Sequence, residues 1–207
     1  MYARSTTLRG RPESVDAGTT YFRDEVLPTL QDIDGFVGAS LIVDRDSGLC
    51  IVTASWASAE ARQASADQVR PMRERAAAVF GADSTEVDEW EIAVMHRDHT
   101  AREGACVRAT WTRVAPADMD RAIDVWKLGV LPACEALDGF CSASLMVDRA
   151  SGRSVGSMTY DSRAALEASR EPAARIRADA IKDARAEVLD VREFDLALAH
   201  LHVPEMA

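Results

Sequence analysis

The stretch Asp34–Leu49, DGFVGASLIVDRDSGL, returns as DGFCSASLMVDRASGR at Asp138–Arg153. Outward from this stretch the register holds without a gap, residue i matching residue i+104 from end to end. Val26-Leu27-Pro28 lies over Val130-Leu131-Pro132, and thirty of the aligned pairs are identical. Helical periodicity does not produce such a match, because the shared residues include turn glycines and aspartates at fixed positions. The 207-residue chain is therefore a tandem duplication, each copy long enough to bury its own core.

Each copy reads as β-α-β-β-α-β. Strand one covers Tyr2 to Arg9 and Cys106 to Arg113, with β-branched and aromatic residues. Pro12 and Pro116 suit a first helical turn, where a missing N–H is harmless. Val15, Phe22, Val26 and Leu30 then recur at helical spacing, as do Met119, Ile123, Trp126 and Val130. Gly35 and Gly139 supply the positive φ of a helix stop. Phe36–Asp44 and Leu49–Trp56 flank an Asp46-Ser47-Gly48 turn and read as a hairpin, in which Asp44-Arg45 and Asp148-Arg149 are turn chemistry with a local salt bridge. Ser58 and Ser162 are N-caps of a second helix that Pro71 and Pro172 break or kink. Val87–His96 and Val191–His202 alternate apolar and polar residues and form the last strand.

Such a unit is a four-stranded antiparallel sheet with both helices on one face. The bare face needs covering, and the second copy provides the cover. The predicted fold class is α+β: two ferredoxin-like repeats, residues 1–96 and 105–207 joined by a linker at 97–104, forming an intramolecular dimeric α+β barrel.

Composition excludes several classes. With 47% hydrophobic and 28% charged residues, neither disorder nor a fibrous protein is indicated. No apolar run approaches the roughly 20 residues that span a bilayer, and the start lacks a signal-peptide core, so a cytoplasmic protein without a membrane partner is expected. A net charge of −10 without a basic block argues against nucleic acid. Cys50, Cys106, Cys134 and Cys141 form no CxxC pair and read as reduced, mostly buried thiols. No nucleotide, dinucleotide, hydrolase or zincin motif occurs.

The run Val26-Leu27-Pro28, Gly35-Phe36, an alternating hairpin, then Trp56, Ser58 and a helix resembles antibiotic-biosynthesis-monooxygenase-like domains of the dimeric α+β barrel superfamily. The resemblance implies a small-molecule cavity and, in some members, oxygenation of aromatic polyketides without a cofactor or degradation of haem. Family domains often carry a His about nine residues after the Trp, where this chain has Ser65 and Ser169, and the haem-degrading branch uses an Asn that this Asn-free sequence lacks.

Candidate chemistry comes in matched pairs. Arg4 and Arg108 in strand one either hold an anionic ligand or pair with Glu89 and Glu193. His96 and His200, with His99 and His202 nearby, suit a general base on an acidic phenol or enol, or simply a solvated strand end. Trp56 and Tyr160 suit stacking on a planar ligand, or packing. Neither a metal nor a cofactor is expected. Two functions remain: cofactor-independent oxygenation of a small aromatic or enolic molecule, or a non-catalytic binding or interaction module. A pocket of about 300 Å³ or more with converging polar groups separates them. Gly156 and Ser157, opposite Val52 and Thr53, predict the larger pocket beside the second copy, near Arg108, Tyr160 and His200. Further association of whole chains is compatible with this reading.

Overall fold

A computed structural model describes residues 1–201. Both repeats have the expected α+β elements, and the eight antiparallel strands close into a barrel in the order β1-β3-β2-β8-β5-β7-β6-β4. In the first repeat these are β1 (Tyr2–Arg9), β2 (Phe36–Asp44), β3 (Leu49–Trp56) and β4 (Thr85–Arg97), and in the second β5 (Cys106–Arg113), β6 (Phe140–Asp148), β7 (Arg153–Tyr160) and β8 (Glu187–Leu201). His202 lies outside the described residues. Among those residues no helix is long and apolar enough to cross a membrane, and all four cysteines are buried and free.

The chain divides into two compact units. The first contains Met1–Trp90 and the end of β8 from Asp195, and the second contains Glu91–Phe194. Each unit thus completes its sheet with the end of a long strand from the other repeat: β2 pairs with β8 from Gly38↔Leu201 to Val43↔Asp195, and β4 with β6 from Glu91↔Val147 to Arg97↔Ser142. Each also has its own core, built around Phe22, Trp56 and Phe80 in the first and around Met119, Tyr160 and Leu166 in the second.

The first helix of each repeat is not uniform. α1 (Val15–Tyr21) and α2 (Leu27–Gln31) are joined by a π-helical turn at Phe22–Val26, and α5 (Met119–Val125) and α6 (Leu131–Glu135) by one at Trp126–Val130. Pro28 and Pro132 explain the widening. A proline inside a helix lacks the N–H for the i−4 carbonyl and crowds it, and a wider turn relieves both problems.

The second helix also departs from expectation, breaking at Ser65 and Ser169 rather than at a proline. α3 (Ala59–Ala64) and α7 (Arg163–Ala168) are capped by Ser58 and Ser162, whose Oγ atoms accept from Ala61 N at 3.1 Å and Ala165 N at 3.2 Å. α4 (Ala66–Phe80) then runs through Pro71, and α8 (Arg170–Ala184) carries Pro172 in its first turn. The break has a chemical cause. Ser65 Oγ donates to the Arg62 carbonyl at 2.7 Å and Arg4 Nη2 donates to it at 2.9 Å, while Ser169 and Arg108 treat the Leu166 carbonyl the same way at 2.7 and 2.8 Å.

The hairpin turns close on Asp44 and Asp148, which accept from Asp46 N at 3.1 Å and Ala150 N at 3.0 Å. Their arginine neighbours turn elsewhere, correcting the expected local salt bridge: Arg45 reaches Asp16 at 2.5 Å, and Arg149 reaches Glu91 and Asp120, both at 2.7 Å. At the tip, Gly152 has φ 72° and a Cβ there would lie 2.1 Å from the Val114 carbonyl oxygen, so both conformation and space require glycine.

Residues 1–103 alone lack the β8 segment that completes the first sheet, so β2 presents an open edge. Expressed alone, this segment is expected to dimerise or aggregate, as read by light scattering behind size exclusion. A stable monomer would contradict the strand exchange.

Candidate functional site

Two buried arginines organise the two units alike. Arg108 donates from Nε and Nη2 to Glu193 Oε1 at 3.2 and 2.9 Å, from Nη1 to Ser169 Oγ at 2.9 Å, and from Nη2 to the Leu166 carbonyl at 2.8 Å. Arg4 makes the same set with Glu89 at 3.3 and 2.9 Å, Ser65 at 3.1 Å and the Arg62 carbonyl at 2.9 Å. Of the two readings offered for these arginines, the geometry is that of the internal ion pair. Ser65 and Ser169 are thus occupied in holding the guanidinium.

Beside each arginine lies a cavity between the sheet and its helices. That of the second unit measures about 100 Å³ and that of the first about 60 Å³. The larger is lined by Arg108, Trp126, Cys134, Tyr160, Arg177 and Ala184 among mostly apolar neighbours. Both fall short of about 300 Å³. The larger cavity is in the second unit, as the sequence predicts, but not for the predicted reason. The space vacated at Gly156 is taken by the Trp126 indole, whose Nε1 would lie 2.9 Å from a Cβ there. The room comes instead from Ala184, which replaces the wholly buried Phe80 of the first unit. The offset alignment carries this signal.

Tyr160 is one of the residues lining the larger cavity. Its side chain is 0% exposed, the Arg108 guanidinium lies 5.6 Å from the centre of its ring, and its hydroxyl has no hydrogen-bond partner. Ser169 stands close by but gives its hydrogen to the Leu166 carbonyl and accepts from Arg108. Burial pushes the Tyr160 hydroxyl above its ordinary range, against the lowering influence of Ser169 and Arg108. Burial likewise pushes the Cys134 thiol up to about 11. In the smaller cavity the equivalent Trp56 is equally buried, and its indole N–H also lacks a partner.

The histidines are distributed differently from the expected sets. Because the last strands cross between units, His96 belongs with Arg108 and Tyr160, and His200 with Arg4 and Trp56. Neither lines a cavity described here. His96 Nε2 contacts Glu135 at 2.6 Å and its ring stacks on Phe140, whereas His200 contacts Gln31 Nε2 at 2.9 Å. One pair missed in the sequence is Arg73 and Arg177, identical at the repeat offset and lining the two cavities from the second helix. Arg177 makes no ion pair or hydrogen bond among the described residues.

No protein-family model matches the chain. It is 53% identical over 206 residues to the uncharacterised protein Rv2557 of Mycobacterium tuberculosis strain H37Rv, covering 100% of this chain and 92% of that protein. Rv2558 of the same strain is also 53% identical, over 207 residues covering 100% of this chain and 87% of that protein. The chain belongs to the Rv2557 and Rv2558 family. Solved structures show the fold this family shares. A candidate monooxygenase from Fusobacterium nucleatum superposes with a TM-score of 0.72 at 12% identity, over 97% of this chain and 94% of that one. An anthrone oxidase-like protein gives 0.67 at 16%, over 100% and 95%, and a haem-degrading enzyme from Listeria monocytogenes 0.54 at 7%, over 95% and 99%. The chain therefore shares the α+β barrel fold of these proteins.

Glu193 yields two expectations. Replacing Arg108 with Ala removes the buried partner of Glu193, which is 21% exposed and keeps Arg170 at 2.7 Å, and a loss of about 2–4 kcal/mol is expected from urea melts. Arg4→Ala costs less, because Glu89 is 40% exposed and solvent screens the charge left behind. Burial works to raise the pKa of Glu193, but hydrogen bonds from Arg170 and Arg108 hold it below the ordinary 4.5. Its stabilisation is complete above pH 4.5 and is lost as pH falls through the lower folded value. The urea midpoint of the wild type is expected to drop in that acid window more steeply than that of Glu193→Gln. Parallel pH profiles would refute this.

Proposed function

We propose that the second unit binds a small, flat, mostly apolar molecule bearing one hydroxyl, carbonyl or acid oxygen, a description met by small aromatic and enolic compounds. The observation that carries the reading is Tyr160, which lines the larger cavity and whose buried hydroxyl has no hydrogen-bond partner among the described residues. A buried polar group left unpaired costs about 1–3 kcal/mol, and a ligand oxygen relieves that cost. The unpaired Arg177 provides for an acid group on the ligand. An apolar void of about 150 Å³ takes benzene, so the 100 Å³ here admits a single small ring only if the lining side chains give way slightly.

Binding is favoured over catalysis by the groups in the cavity. Tyr160 and Cys134 hold their protons at neutral pH, Arg108 already makes four hydrogen bonds within the protein, and His96 and His200 lie elsewhere. Oxygenation without a cofactor, suggested by the likeness to an anthrone oxidase-like protein, would then demand a ligand acidic enough to ionise unaided.

Salicylate and phenol serve as probes in thermal-shift and calorimetric titrations. Both are expected to raise the melting temperature. Tyr160→Phe should weaken binding about three- to tenfold by removing one hydrogen bond, and Arg177→Ala should weaken salicylate but not phenol. Ala184→Phe, which installs the residue the first unit already uses, should abolish binding while leaving the protein folded. Undiminished binding by folded Ala184→Phe would place the ligand elsewhere and overturn the proposal.

A further inference from the structure

Away from the cavity, three potential metal ligands converge in the second unit. They are His99, just after β4, Cys141 in β6, and Asp161, just after β7, and their ligand atoms all lie within 4.8 Å of one another. None of the three lines the cavity. His99 Nε2 contacts Asp161 Oδ1 at 2.7 Å, and Cys141 Sγ donates to the His99 carbonyl at 3.3 Å. The backbone fixes the group: Asp98 N donates to the Cys141 carbonyl at 3.0 Å, and Asp161 N to the Gly139 carbonyl at 2.8 Å.

We propose that His99, Cys141 and Asp161 bind a divalent transition-metal ion of the zinc class. Thiolate, imidazole and carboxylate together match the borderline-soft character of Zn²⁺, and three protein ligands leave one position open. Cys141 is 1% exposed and forms the floor, while the His99 and Asp161 side chains, 33% and 29% exposed, leave the rim open to an entering ion and a water. With metal–nitrogen and metal–oxygen bonds of about 2.0–2.2 Å, tetrahedral ligands stand about 3.3 Å apart, so His99 and Asp161 need separate by only about 0.6 Å. Binding replaces the Cys141 S–H bond with a sulfur–metal bond and releases that proton.

Two further observations support the assignment. Asp98 Oδ2 lies 2.7 Å from His99 Nδ1, an arrangement that directs Nε2 towards Asp161. A carboxylate behind a histidine in this way is the usual outer support of a metal-bound imidazole. The second observation is the duplication. Cys141 and Asp161 stand where the first repeat has Val37 and Ala57, and residue 203, at the His99 offset, is Val. The three donors therefore meet in one unit, although His99 precedes the second repeat and Cys141 and Asp161 lie within it, and the residue at each matching offset is apolar.

The test uses the untagged, chelator-stripped full chain, titrated with ZnCl₂ by calorimetry and with CoCl₂ by absorbance. One equivalent of Zn²⁺ and a thiolate-to-Co²⁺ charge-transfer band are expected. Cys141→Val and Asp161→Ala, which borrow the residues of the first repeat, should each lower affinity at least tenfold, and Cys141→Val should remove the band. The exposed Asp98→Asn should keep one equivalent but weaken it about 10- to 100-fold. Circular dichroism checks that each variant is folded. Absence of Zn²⁺ uptake by the wild type, or a Co²⁺ band that survives Cys141→Val, would overturn the proposal and leave the cluster as an ion pair. If a buried-site variant does not fold, the wild-type Co²⁺ band and the Asp98→Asn titration decide the matter. Because the cluster and the cavity share no residue, failure here leaves the binding proposal untouched.

Discussion

A guanidinium in the floor of a sheet must have its donors met, and meeting them shapes each unit of this protein. Arg4 and Arg108 cannot lose their charge, and burying an unpaired charge is prohibitive. Each is answered by a glutamate on the last strand of its repeat, a serine and a helix carbonyl. Three elements are tied to one side chain. Because the carbonyl is diverted from the helix, the second helix must break there. That break determines how α4 and α8 lie over their sheets, and those helices roof the cavities.

The same framework encloses two different interiors. Phe22 with Val52 becomes Trp126 with Gly156, an exchange that nearly conserves volume and that a packed core tolerates. Phe80 becoming Ala184 does not conserve volume. A void left by such a truncation destabilises by roughly 24 cal/mol per Å³, or about 2 kcal/mol for 100 Å³. A cavity retained against that penalty, with Tyr160 among its lining residues, has no equal in the first unit.

Most of the fold was legible because duplication doubles every signal. The hairpin strands Phe36–Asp44 and Leu49–Trp56 fall where alternation and the Asp-Ser-Gly turn put them. What escaped was non-local. The π-turns arise from Pro28 and Pro132 acting on a helix already formed, and the helix breaks arise from arginines some sixty residues away along the chain. The alignment grouped His200 with Arg108 because it compares repeats, whereas the strands β4 and β8 end in the opposite units. Spacing also hid His99, Cys141 and Asp161, since their approach depends on the crossing of β4 onto β6.

Duplication also separates the residues that build the fold from those that distinguish the copies. A residue kept at both offsets, with all its bonds met inside its own unit, is accounted for by folding; Arg4, Ser65 and Glu89 meet that standard, as do Arg108, Ser169 and Glu193. Residues that differ between copies and carry unmet or convergent polar groups are not accounted for in this way. Tyr160 with Ala184, and His99 with Cys141 and Asp161, are such residues, and both groups fall in the second unit. Arg177 is the informative exception, since it is kept in both copies and its half-buried side chain makes no ion pair among the described residues. The first unit has Arg73 on a smaller cavity and the wholly buried Phe80 where the second has Ala184.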